Sequence, residues 1–124
     1  MQDDKYVILY VEDDPDFLDS MRVILESKGY VFVGAPSAEE GLRAYKNSKP
    51  DLIIADLMME EVDAGTNFVR ELQAIGNKAP IYMLSSVGDD LNSTADYSTL
   101  GLAGIFQKPV NPDNLLQILK TKLQ

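Results

Sequence analysis

Residues 6–17 read YVILYVEDDPDF: six apolar residues run into three consecutive carboxylates, Glu12, Asp13 and Asp14, and then into Pro15. The apolar run reads as a buried strand. Asp14-Pro15 reads as a helix start, with an aspartate N-cap and proline in the first turn, where a missing N–H costs nothing. A strand therefore feeds a helix across a segment of acids. Side-by-side carboxylates repel one another, so such a segment is either solvated surface or a site for a cation.

Outward from this stretch the pattern repeats. Phe17, Met21, Ile24, Leu25 and Lys28 recur at helical spacing until Gly29, and residues 30–35 are β-prone. Ser37-Ala38-Glu39-Glu40 is a capping box that opens a second helix with Leu42 and Tyr45 on its apolar face. Pro50-Asp51 introduces the short buried run Leu52-Ile53-Ile54-Ala55, which stops at Asp56. Phe68, Val69, Leu72 and Ile75 then mark a third helix closed by Gly76. A fourth strand, Ile81-Tyr82-Met83-Leu84, ends at Ser85-Ser86. Residues 89–100 predict a helix built from weak helix formers, residues 104–107 a fifth strand, and Asn111-Pro112 caps a last helix carrying Leu115, Leu116, Ile118, Leu119 and Leu123.

Five β/α units with nearly continuous apolar strands predict an α/β fold: a doubly wound, five-stranded parallel sheet of the flavodoxin-like (βα)5 kind, strand order 2-1-3-4-5, with helices on both faces. The 124 residues, 45% of them hydrophobic, suffice for one domain with one continuous core. No apolar run approaches a membrane span, and the acidic start of the chain is unlike a signal peptide, so the chain reads as soluble and unsecreted. The last helix runs to the end of the sequence, so no effector domain is expected within it. A net charge of −9 argues against direct contact with nucleic acid. Zero cysteines and zero histidines exclude thiolate metal sites, imidazole ligands and histidine-based catalysis. Chemistry must come from carboxylates, hydroxyls, a lysine or a hard cation.

In doubly wound sheets ligands bind beyond the carboxyl ends of the strands. Those ends carry Glu12-Asp13, Asp56, Ser85 and, after the fifth strand, Lys108. Each alone has an ordinary explanation as a cap, a turn residue or a strand exit. Asp14 is expected to do only capping. Together they bring carboxylates, a hydroxyl and a lysine to one edge.

With these residues in view, the chain resembles the response-regulator receiver domain of two-component signalling along essentially its whole length, with residues 1–124 as one domain. The motifs that carry the resemblance are VEDD (11–14), IIADLMMEEVD (53–63), MLSS (83–86) and FQKP (106–109). It implies that Asp56 is the phosphoacceptor of a His-to-Asp phosphorelay. It implies further that Glu12 and Asp13 hold Mg²⁺, or Mn²⁺ in its place, with Asp56 and the backbone carbonyl of Met58. Ser85 would be the switch hydroxyl, and Lys108 would pair with the phosphoryl group. The implied partners are a sensor histidine kinase or histidine phosphotransfer protein and a downstream protein output, with a homodimer through the last helices as an option. The implied location is cytoplasmic. Such a domain is not an enzyme in its own right; it assists its own phosphorylation and dephosphorylation.

The chain departs from the family pattern at Ile105, where receivers usually carry an aromatic residue, and at Glu60, where a proline is common. Asp63-Ala64-Gly65 is one residue longer than the usual Asp-Gly. Met58 and Val87, two residues beyond the phosphoacceptor and the switch hydroxyl, are apolar, which predicts slow loss of phosphate. Two rival readings are a receiver that serves only as a docking scaffold and a haloacid-dehalogenase-type phosphatase. The second resembles the chain less well, because that family places Asp-x-Asp followed by Thr after its first strand and this chain has Glu12-Asp13-Asp14-Pro15.

Overall fold

The computed structural model describes residues 5–56, 64–85, 103–107 and 111–123. Their elements, in chain order, are β1 (Val7–Val11), α1 (Pro15–Ser27), β2 (Val31–Ala35), α2 (Ala38–Ser48), β3 (Leu52–Asp56), α3 (Ala64–Ala74), β4 (Ile81–Ser85), β5 (Gly104–Gln107) and α4 (Pro112–Leu123). The expected helix at residues 89–100 lies outside the described residues, as do Glu60, Asp63 and Val87. All strand pairs are parallel and the order is β2-β1-β3-β4-β5, the flavodoxin-like order expected from the repeated strand–helix pattern.

β1 and β3 are buried at every residue, which is why both read as unbroken apolar runs. Alternation along the strands sorts their side chains into two cores. Leu9, Val11, Ile53, Ala55, Ile81 and Met83 pack with Phe68, Val69 and Leu72 of α3 and with Leu42 and Tyr45 of α2. Ile8, Tyr10, Leu52, Ile54, Tyr82 and Leu84 pack on the opposite face with Met21 and Leu25 of α1 and Leu115 and Leu119 of α4. Each fully buried aliphatic side chain contributes about 1.5–3 kcal/mol relative to exposure, so the two cores dominate the stability.

Local chemistry fixes the ends. Asp14 caps α1 by accepting from the Asp16 N–H at 2.9 Å, with Pro15 in the first turn. Ser37 caps α2 by accepting from the Glu40 N–H at 3.2 Å, and Asn111 caps α4 by accepting from the Asp113 and Asn114 N–H groups. α1 and α3 stop near Gly29 and Gly76, both at φ 86°, a left-handed backbone that glycine adopts without a Cβ clash. Asp51 ties β3 to β1 twice. Its backbone N–H donates to the Val7 carbonyl at 2.8 Å, and its carboxylate accepts from the Val7 N–H at 2.8 Å.

Two apolar side chains of the helical pattern stay outside the cores. Phe17 is 37% exposed, and it is the neighbouring Leu18 that packs against the α1 core. α3 ends at Ala74, so Ile75 falls beyond its apolar face and is 50% exposed. On β5, Phe106 is buried with its ring centroid 5.1 Å from that of Tyr82, whereas Ile105 points to the other side of the sheet and is 39% exposed. The one-residue step between them reverses the face, as the strand period requires.

Candidate functional site

β1 and β3 are adjacent and in register, with Val11 opposite Ala55. One residue further, both strands end in acids. Glu12 is still held to the sheet, its N–H donating to the Ala35 carbonyl of β2 at 3.0 Å, and its side chain is fully buried. Asp56, the last residue of β3, is 3% exposed. Asp13 follows Glu12 and is exposed. One carboxylate oxygen from each of Glu12, Asp13 and Asp56 lies within 4.8 Å of the others. Asp14, committed to its cap, stands apart from this trio.

At such separations and an effective dielectric near 20, two carboxylates repel by roughly 3 kcal/mol. The sheet brings these three together regardless, because the strands that carry them are buried on both faces and pinned by register. The donor set consists of carboxylate oxygens alone, in a chain without cysteine or histidine. That set suits a hard, oxygen-preferring divalent cation such as Mg²⁺. Glu12, Asp13 and Asp56 are the residues that could hold such an ion.

Sequence reasoning overlooked Tyr10. The apolar pattern reads it as one more strand residue, yet its hydroxyl donates to Glu12 Oε1 at 3.4 Å. Burial, followed by the negative charges of Glu12 and Asp56, pushes its phenol well above the usual value. A tyrosine two residues before an acid on a buried strand was the available signal, since period-two alternation sets both on one side.

Of the remaining expected residues, Ser85 ends β4 opposite Gln107 of β5. Lys108 and Met58 lie outside the described residues. No helix among the described residues is long and apolar enough to cross a membrane.

A doubly wound parallel sheet with an acidic trio at its carboxyl edge puts residues that could hold a divalent cation where ligands bind in such folds. The response regulator receiver domain family model matches residues 8–120, and the chain belongs to that family, the receiver domains of two-component systems. The transcriptional regulatory protein GlrR of Escherichia coli is 35% identical over 117 residues, which cover 94% of this chain and 26% of GlrR. The chain thus spans about a quarter of that relative. An uncharacterised 14.6 kDa protein of Leptolyngbya boryana is 32% identical over 91% of this chain and 86% of its own length. Among solved structures, the CheY-like receiver domain protein of Methanospirillum hungatei superposes with a TM-score of 0.87 at 30% identity, covering 96% of this chain and 94% of that one.

Proposed function

We propose that this domain accepts a phosphoryl group on Asp56 from a phosphohistidine, carried by a sensor histidine kinase or a histidine phosphotransfer protein, and relays the resulting change to a protein output partner in the cytoplasm. Residues 1–124 act as one receiver unit in this reading. The observation that carries it is the convergence of Glu12, Asp13 and Asp56 within 4.8 Å at the carboxyl edge of the sheet.

Asp56 suits the acceptor role because it ends a central strand held on both sides, between β1 and β4. An oxygen of its carboxylate attacks phosphorus; the donor's phosphorus–nitrogen bond breaks, and its electron pair leaves with the imidazole. A carboxylate is a weak nucleophile, but phosphoryl transfer asks mainly for alignment and charge stabilisation. Mg²⁺, or Mn²⁺, held by Glu12, Asp13, Asp56 and the Met58 carbonyl, would supply neutralising charge to the acids and to the phosphoryl oxygens. Lys108 pairs with the phosphoryl group and Ser85 answers it as the switch hydroxyl, as in the family this chain belongs to.

The test is intact-mass measurement after incubation with acetyl phosphate or a phosphohistidine donor. One phosphoryl group should be gained with Mg²⁺ or Mn²⁺ and none with a chelator, and Asp56→Asn should abolish the gain. Equal labelling of the substituted protein would refute the assignment.

A further inference from the structure

We infer that Tyr10 is a positioning residue of the acidic trio, acting through Glu12. The inference rests on the reading of Glu12 as a Mg²⁺ ligand and adds a residue to it. Tyr10 and Glu12 are two apart at the end of β1, so both side chains leave the strand on one side, and a tyrosine ring leaning along the strand reaches the next residue on that side. Its hydroxyl meets Glu12 Oε1 at 3.4 Å. Both residues are fully buried.

Packing alone does not call for a hydroxyl here. The core around Tyr10 is formed by Ile8, Ile54, Leu84 and their neighbours, and a phenylalanine would fill the same space. A buried hydroxyl that finds no acceptor costs free energy, and the acceptor this one finds is a buried carboxylate. Glutamate has one more rotatable bond than aspartate and more ways to miss a shared ion. The phenol restricts that freedom by engaging one oxygen of Glu12. The ring itself is held, with the Phe32 ring centroid 6.1 Å away. At 3.4 Å the contact is longer than the usual 2.7–2.8 Å between hydroxyl and carboxylate oxygens, so it is a weak one.

Calorimetric titration with Mg²⁺ of the parent, Tyr10→Phe, Glu12→Gln and the double variant tests this. Groups that orient metal-binding carboxylates typically change affinity by 10–100-fold, and the long contact argues for the low end, so Tyr10→Phe should weaken Mg²⁺ binding about tenfold. In the Glu12→Gln background the same substitution should cost nothing further, because the group through which Tyr10 acts is gone. A Tyr10→Phe constant equal to or tighter than the parent's overturns the inference, as does an equal loss in both backgrounds, which would mean that Tyr10 acts through packing. If the parent binds no Mg²⁺, the reading of the trio as a metal site falls and takes this inference with it. A measurement that needs no variant is the ring resonance of Tyr10 in the parent: it should shift along the same binding curve as the metal, and a resonance that ignores saturating Mg²⁺ also overturns the role.

Discussion

Glu12 and Asp56 stand side by side at the ends of β1 and β3, one residue past the register pair Val11 and Ala55, and both are buried. With Asp13 they concentrate negative charge at the carboxyl edge of the sheet. Asp56→Asn should therefore stabilise the metal-free protein. Relief of about 1 kcal/mol corresponds to a rise of roughly 3–6 °C in Tm for a domain of this size. Millimolar Mg²⁺ should raise the parent's Tm more than the variant's. Calorimetry in chelator and in Mg²⁺ checks both, and a fall in Tm for the variant in chelator would contradict the repulsion.

Gly41 of α2 lies against the sheet so closely that a Cβ there would meet Val11 Cγ2 at 2.9 Å and Phe68 Cε1 at 3.0 Å. Gly41→Ala gains up to about 1 kcal/mol of helix propensity but overpacks a filled core, which typically costs about 1–3 kcal/mol. The expected result is a net loss of about 1 kcal/mol in urea unfolding and a larger one for Gly41→Val. Because Val11 directly precedes Glu12, Mg²⁺ affinity should fall with it. A variant as stable as the parent would show that α2 can lift away from β1 at no cost.

Burial pushes the hydroxyls of Tyr10, Tyr30 and Tyr82 above the ordinary phenol value, and the charges of Glu12 and Asp56 add to the effect at Tyr10. A raised value in the folded state means that the native protein keeps protons the unfolded chain releases. Their contribution is fully present below pH ~10 and is lost as pH climbs through the folded values. Unfolding free energy from urea titration should thus decline above about pH 10, and Tyr82→Phe should make that decline shallower. Stability that increases with pH in this range would reverse the sign.

In sequence Met58 and Val87 lie two residues beyond Asp56 and Ser85, and neither side chain can accept or direct a proton. The phosphorylated domain should lose its phosphate slowly. Met58→Asn and Val87→Glu should each speed the decay severalfold, by roughly 1 kcal/mol of barrier. Unchanged decay in both variants rules out an apolar lid.

Much of the fold was legible because its determinants are local or periodic. The apolar runs at residues 7–11 and 52–55, the Asp14-Pro15 and Asn111-Pro112 starts and the Ser37 cap each specify one element with little help from the rest of the chain. The trio was legible because three acids each end or follow a strand whose neighbour the topology rules supply. What escaped depended on docking. Phe17 and Leu18 are adjacent large apolar residues about 100° apart around α1, and which of them turns inward is decided by where the helix rests on the sheet, not by the spacing. Ile75 stays outside because α3 ends at Ala74, and where a helix gives out within its last turn is not fixed by the spacing. Tyr10 escaped because an apolarity pattern treats a phenol as a ring and is blind to the oxygen at its tip.

The ties between Asp51 and Val7 bridge residues 44 apart in sequence, and the β1–β3 ladder they begin is the one that ends at the acidic trio. Zipping that ladder requires closing a loop that contains α1, β2 and α2, so the entropy of closure must be met before any of its bonds form. No locally folded fragment contains the cluster. An ion that recognises all three acids therefore selects chains in which this closure is complete, and it should slow unfolding far more than it speeds folding if the ladder's end zips after the rate-limiting step.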